Sequence, residues 1–101
     1  SLTNGADCSG FVMSVFAQFG YSLPRVAADQ YYQSVQKSVA DLEPGDLVFY
    51  GSGISHVALY IGDGQIIHAS TSASGIKISN YDYETPVGVG TYIESDGFYG
   101  E

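Results

Sequence analysis

Apolar residues recur at three- and four-residue spacing over 8–19. Cys8, Phe11, Val12, Val15, Phe16 and Phe19 draw one stripe there, which predicts a helix. Asp7 stands where a cap would start it and Gly20 where a glycine would stop it. A second helical stretch is predicted over about 27–37, entered after Pro24 and marked by Tyr31, Tyr32 and Val35. After Pro44-Gly45 the period shortens to two. Strands are predicted at 46–50, 56–61, 65–70, 76–79 and 89–93, with Gly- and Ser-rich turns between them. Helices first and strands afterwards predict an α+β domain, its first helix packed on an antiparallel sheet.

A chain of 101 residues supports a single domain over 1–101. At this mass, folding hides roughly 64% of the unfolded surface, enough for one modest core without staples. Hydrophobic residues make up 45% and charged ones 14%, which argues against a disordered chain. Three basic residues against 11 acidic ones give a net charge of -8, so the basic footprint of a nucleic-acid binder is missing. No apolar run reaches the roughly 18 residues of a membrane span, and no signal peptide is visible. One cysteine cannot close an internal disulfide. One Cys and two His are also too few for haem, iron–sulfur or structural zinc. Nine tyrosines without tryptophan fit either ordinary strand composition or a polar-aromatic cleft.

Within that sparse set, the placement of Cys8, His56 and His68 carries chemistry. A lone Cys is usually a small buried hydrophobe, and a lone His on a strand is usually structural. Cys8, however, opens the first helix, where free N–H groups and the positive dipole end favour the thiolate. Its position on the stripe aims the sulfur at the sheet, and Gly10 leaves space beside it. Its backbone N–H is a candidate oxyanion donor. His56 begins one strand and His68 lies near the end of the next. A two-residue Asp63-Gly64 turn pairs 62 with 65 and sends His68 to the face away from His56. A three-residue Gly62-Asp63-Gly64 loop with a bulge pairs 61 with 65 and 58 with 68. The two imidazoles are then diagonal on one face. The bulged turn is expected, and a 62–65 pair would count against a His–His relay. With it, His56 is the base toward Cys8 and His68 orients His56, as in thiol hydrolases.

Five segments, Asp7 to Phe11, Leu23 to Gln30, Pro44 to Tyr50, His56 to Gly62 and Ile67 to Ala69, together resemble the NlpC/P60 family of cell-wall cysteine peptidases. Asp7-Cys8-Ser9-Gly10-Phe11 is similar to the family's nucleophile motif, and Leu23-Pro24-Arg25 followed by Gln30 to its next signature. Pro44-Gly45-Asp46-Leu47-Val48-Phe49-Tyr50 resembles the strand before the histidine. His56-Val57-Ala58-Leu59-Tyr60-Ile61-Gly62 resembles the histidine motif, and Ile67-His68-Ala69 the third polar position. The resemblance implies a papain-like α+β fold and catalytic Cys8, His56 and His68. It implies hydrolysis of peptidoglycan stem peptides, at the bond between γ-D-Glu and the diamino acid, outside the cell or at the wall, with no cofactor. It implies that Asp7 and Ser9 line the substrate subsite, plain helix capping being the alternative. Arg25 is either a structural partner or a cleft residue.

Two departures from the family pattern alter the expectation. Members usually carry an aromatic- and Gly-rich segment ahead of the nucleophile motif, and only seven residues precede Cys8 here. The chain is therefore expected to lack that segment and to work beside other wall-binding domains. Val26-Ala27 stands where some members have an Asp-Ser pair that contacts a free substrate N-terminus, so action on intact wall is expected over free stem peptides. The alternatives are an N-acetylmuramoyl-L-alanine amidase or acyl transfer on the same scaffold, and a non-catalytic wall-binding domain. A zinc site built from Cys8, His56 and His68 is disfavoured, because its ligands would come from a nucleophile-type helix start and a hairpin.

Overall fold

Residues 8–71 and 75–93 are described by the computed structural model. Helix α1 spans Cys8–Ala17, and its stripe folds inward as the spacing predicts. Val12 and Phe16 are buried, with Cys8, Phe11, Met13 and Val15 half-buried around them. Burying a side chain of this size contributes about 1.5–3 kcal/mol. The helix ends two residues before the predicted 19. Gly20, at φ 89°, takes the left-handed conformation, and its N–H reaches Ala17 O at 3.1 Å. Tyr21 N–H reaches back to Phe16 O at 3.0 Å, and the two rings pack edge-on at 5.8 Å. This is a Schellman ending with its hydrophobic contact. It turns Phe19 off the stripe, leaving it 74% exposed.

Helix α2 covers Ala27–Gln33, shorter than the predicted stretch to 37. Its last residues instead form strand β1, Val35–Lys37, followed by a 3₁₀ turn at Val39–Asp41. Strands β2 (Leu47–Tyr50), β3 (His56–Gly62), β4 (Gln65–Thr71) and β5 (Gly75–Asn80) lie close to their predicted positions. Strand β6 runs Pro86–Thr91, about three residues earlier than predicted. Tyr92 and Ile93 leave the sheet to pack against the α1 core. The six strands form one sheet in the order β1-β6-β2-β3-β4-β5, every neighbouring pair antiparallel. This is the α+β arrangement expected from the sequence.

The two faces of the sheet differ. Leu47, Phe49 and Val57 pack beneath α1 with Leu23 and Ala27. Val48, Tyr50, Ala58 and Ile66 form a second cluster with Leu42, Tyr60 and Tyr81. Because side chains alternate along a strand, these residues belong to the opposite face. Gly88 lets α2 lie close to the sheet. A Cβ there would stand 2.6 Å from the Tyr31 ring, which packs on Phe49 at 5.0 Å. Gly88→Ala is accordingly expected to cost about 1–3 kcal/mol, the usual range for overpacking a core. Urea unfolding checks this. An unchanged midpoint would mean that Tyr31 moves aside freely.

Candidate active site

The β2–β3 connection delivers His56. Gly51 and Gly53 have φ of 89° and 69°, and Ile54 follows at 59°. A left-handed conformation is strained for a β-branched residue. The Ile54 side chain packs against the α1 core, and Ser55 N–H bonds Tyr50 O at 3.0 Å, so the surroundings hold the turn closed. The result presents the Ser55 carbonyl 4.0 Å from the Cys8 sulfur. The thiol at the head of α1 thus lies beside the first residue of β3, although α1 packs on one face and His56 projects from the other.

The β3–β4 turn differs from expectation. Gly62 pairs with Gln65, and Asp63 and Gly64, with φ of 56° and 75°, form a two-residue turn of type I′ character. This is the pairing expected to exclude a His–His contact. It does not exclude it, because the ladder shifts between Tyr60 and Gly62. Tyr60 pairs with Ile66 and Leu59 with Ile67. Ile61 is an extra residue on β3, a bulge placed ahead of the turn rather than inside it. From there on, the register is the one the three-residue loop would have given, and His68 returns to the face of His56.

The two imidazoles meet directly, with His56 Nε2 2.8 Å from His68 Nδ1. His68 Nε2 lies 3.0 Å from Ser79 Oγ on β5. One consistent set of neutral tautomers runs outward: His56 Nε2–H donates to His68, and His68 Nε2–H donates to Ser79. His56 Nδ1 then keeps its lone pair. His68 is only 1% exposed, and burial is the main cause of a pKa lowered from the ordinary 6.5 to about 4, with His56 and Lys77 adding to it. Burial also lowers His56, while Glu84 works in the opposite direction. Both rings are therefore neutral at neutral pH.

The β5–β6 loop completes the surroundings. The Tyr83 ring stands 5.4 Å from His68 and 5.2 Å from Tyr50, and Tyr50 stands 5.8 Å from His56. Burial is the main reason the Tyr50 phenol stays far above its ordinary pKa, and its O–H donates to Tyr81 O at 2.7 Å, anchoring the loop. Tyr83 remains 48% exposed. Its phenol is raised first by burial, then by negative charge on Glu84 and on the Cys8 sulfur. Ser79, Tyr83 and Ile54 were not singled out from sequence. No motif marks them; they become visible only once the register and loop path are known.

Asp7 lies outside the described residues. Ser9 is 6% exposed, and its hydroxyl accepts a 3.0 Å bond from Arg25 Nη1. In this arrangement the Ser9 hydroxyl engages Arg25. The Gln30 amide donates to Ser9 O and to Pro24 O, at 3.1 and 2.8 Å. Among the described residues, no helix is long and apolar enough to cross a membrane.

Comparison with known proteins finds one family and several similar chains. The model of the NlpC/P60 family matches residues 1–91. A probable endopeptidase p60 of Listeria seeligeri is 50% identical over 76 residues, covering 73% of this chain and 14% of that protein. The peptidoglycan endopeptidase RipB of Mycobacterium tuberculosis is 45% identical over 78 residues, 76% of this chain and 32% of its own length. The solved structure of RipB matches with a TM-score of 0.80 and 40% identity, over 87% of this chain and 45% of that one. RipD of the same organism, described as a non-catalytic NlpC/p60 domain protein adapted to peptidoglycan binding, matches with a TM-score of 0.78 and 26% identity, over 86% of this chain and 67% of that one. The chain thus spans well under half the length of p60 and of RipB.

The buried histidine sets a pH dependence of stability. An unfolded His68 takes up its proton near 6.5, whereas the folded one resists until about 4. Stability is therefore full above about pH 6.5 and falls as the pH drops toward 4. At about 1.4 kcal/mol per pKa unit the loss is on the order of 2–3 kcal/mol. Urea midpoints between pH 7 and 4 should show it, and His68→Asn should flatten the slope. A variant with the same slope as the parent would remove His68 as its source.

Proposed function

The chain belongs to the NlpC/P60 family, and from that premise we propose that it is the catalytic domain of a peptidoglycan endopeptidase of the cysteine type. One observation carries the reading: the 2.8 Å His56–His68 pair stands at the end of the strand whose preceding carbonyl touches the Cys8 thiol. In the proposed cycle, the His56 Nδ1 lone pair takes the Cys8 proton, since Nε2 is committed to His68. The start of α1 favours the resulting thiolate. The thiolate attacks the scissile carbonyl, and the Cys8 backbone N–H steadies the oxyanion. His56 then gives its proton to the leaving amine, and water releases the acyl group from Cys8. No cofactor enters this cycle.

The proposed substrate is the peptidoglycan stem peptide, cut between γ-D-Glu and the diamino acid. The proposed setting is the bacterial wall outside the cell, with other wall-binding domains in the same protein. The -8 charge supports the need for those domains, since wall polymers are often anionic and like charges repel. Subsite roles for Asp7 and Ser9 belong to the same reading, although the Arg25 bond to Ser9 favours a structural role for Ser9. A non-catalytic wall-binding role is the second reading, favoured by the likeness to RipD. Cys8, His56 and His68 are all present, which supports catalysis over it.

Incubation with purified peptidoglycan, followed by mass analysis of the released termini, tests the proposal. A freed diamino-acid amine is the expected product, whereas L-Ala freed from the sugar would indicate an amidase. Cys8→Ala and His56→Ala should each lower kcat by about 10³-fold or more, as removal of a nucleophile or its base does. Equal turnover by Cys8→Ala would sink the reading. Wall binding without turnover, together with a thiol that alkylates slowly at neutral pH, would establish the non-catalytic reading instead.

A further inference from the structure

Gln30 lies on α2, away from the histidine pair, and is fully buried at 0% exposure. Its Oε1 has no hydrogen-bond partner, the only buried side-chain nitrogen or oxygen so placed among the described residues. A buried acceptor left unmatched is costly and calls for a reason. The reason lies at the other end of the amide. Both Nε2 hydrogens are used, one on Ser9 O at 3.1 Å and one on Pro24 O at 2.8 Å. Behind it, the Gln30 main-chain carbonyl accepts a 2.6 Å bond from the Tyr92 hydroxyl.

Ser9 follows the nucleophile. A carbonyl in the first turn of a helix is already engaged by the N–H four residues on, so the Gln30 bond is not needed to form α1. It ties that first turn sideways to α2 and to the Pro24 turn. Arg25, next to Pro24, adds its 3.0 Å bond to the Ser9 hydroxyl. A neutral amide can donate twice here without burying a charge, which neither Lys nor Glu could do.

We infer that Gln30 is a positioning residue, which fixes the head of α1, and with it the Cys8 sulfur, against the end of β3. The inference rests on Cys8 being the nucleophile, as proposed above. Small displacements of a reacting group far from the point of substitution can cost up to about a hundredfold in rate. A lost positioning bond should therefore appear in kcat and in the pH profile of the thiol, not in KM alone.

The test compares the chain with Gln30→Met, close in volume and without either polar end, and with Tyr92→Phe, which removes only the bond behind Gln30. Val89→Ala, on the opposite face of the sheet, is the control for general loss of stability. The readouts are the rate of Cys8 alkylation by iodoacetamide against pH, and kcat and KM on solubilised peptidoglycan fragments. Gln30→Met should move the alkylation midpoint upward and lower kcat about tenfold with KM within about twofold. Tyr92→Phe should shift both in the same direction by less, and it decides the matter if Gln30→Met does not fold. Parental alkylation profiles in both variants, or an equal shift in Val89→Ala, would overturn the inference. If the parent chain cleaves no wall substrate, the proposed function fails, while the alkylation profiles still decide the role of Gln30.

Discussion

One extra residue in β3 sets the relation between the two histidines. Side chains on a strand alternate faces, so a ladder offset of one residue moves every later side chain to the other side of the sheet. The Asp63-Gly64 turn alone would leave His68 facing away from His56. Ile61 adds the single residue that reverses this, and the ladder beyond it pairs Tyr60 with Ile66. Everything close to the two rings follows from that offset. His68 then reaches Ser79 across the β4–β5 ladder and meets the ring of Tyr83. Bulges beside functional sites commonly act this way, re-aiming one side chain at the expense of one ladder bond.

The thiol and the histidines nevertheless belong to different faces of one sheet. The α1 helix packs over Leu47, Phe49 and Val57, while His56 and His68 share the side of Tyr50, Ala58 and Ile66. They can meet only where the sheet ends. The strained 51–55 turn brings the chain around that end, and the Ile54 side chain, packed into the α1 core, fastens it there. The Ser9, Pro24 and Gln30 bonds fasten α1 from the other side. The site is thus a junction between two cores rather than a depression in one of them. Its geometry depends on several tertiary bonds that no single segment specifies.

That division explains what could be read from the chain. The stripe through Val12 and Phe16, the Gly20 stop, the strands from β2 to β5 and the antiparallel class are local properties of periodicity and turn chemistry, and they were legible. Cys8, His56 and His68 stood out as the proposed trio for a different reason: few polar residues of those types exist in this chain. Strand β1 was not legible, because its three residues continue the helical stretch and owe their strand state to pairing with β6. The start of β6 was hidden by Pro86 and Gly88, which weaken a strand signal, Gly88 also allowing α2 to approach. Two arrangements of the turn give the same register beyond Tyr60. Sequence arguments on register see the total offset, not which residue supplies it. Ser79, Tyr83 and Ile54 carry no local signature and gain meaning only from tertiary placement.

The electrostatics of His56 close the physical picture. A base must be neutral before it takes a proton and must tolerate charge once it has done so. Burial alone satisfies the first condition and works against the second, since it penalises the imidazolium. Glu84 acts in the opposite sense and favours the charged ring. It stands on the β5–β6 loop, which Tyr50 anchors through Tyr81 and whose Tyr83 ring covers His68. In the proposed cycle, a neutral His68 contributes no positive charge when His56 becomes an imidazolium. The buried pair therefore carries one charge at most, matched by an exposed carboxylate on a loop held in place by tyrosines. In a chain with three basic residues and 11 acidic ones, the proposed cycle draws on Glu84 for the proton transfer, whatever such negative charge costs in attraction to an anionic wall.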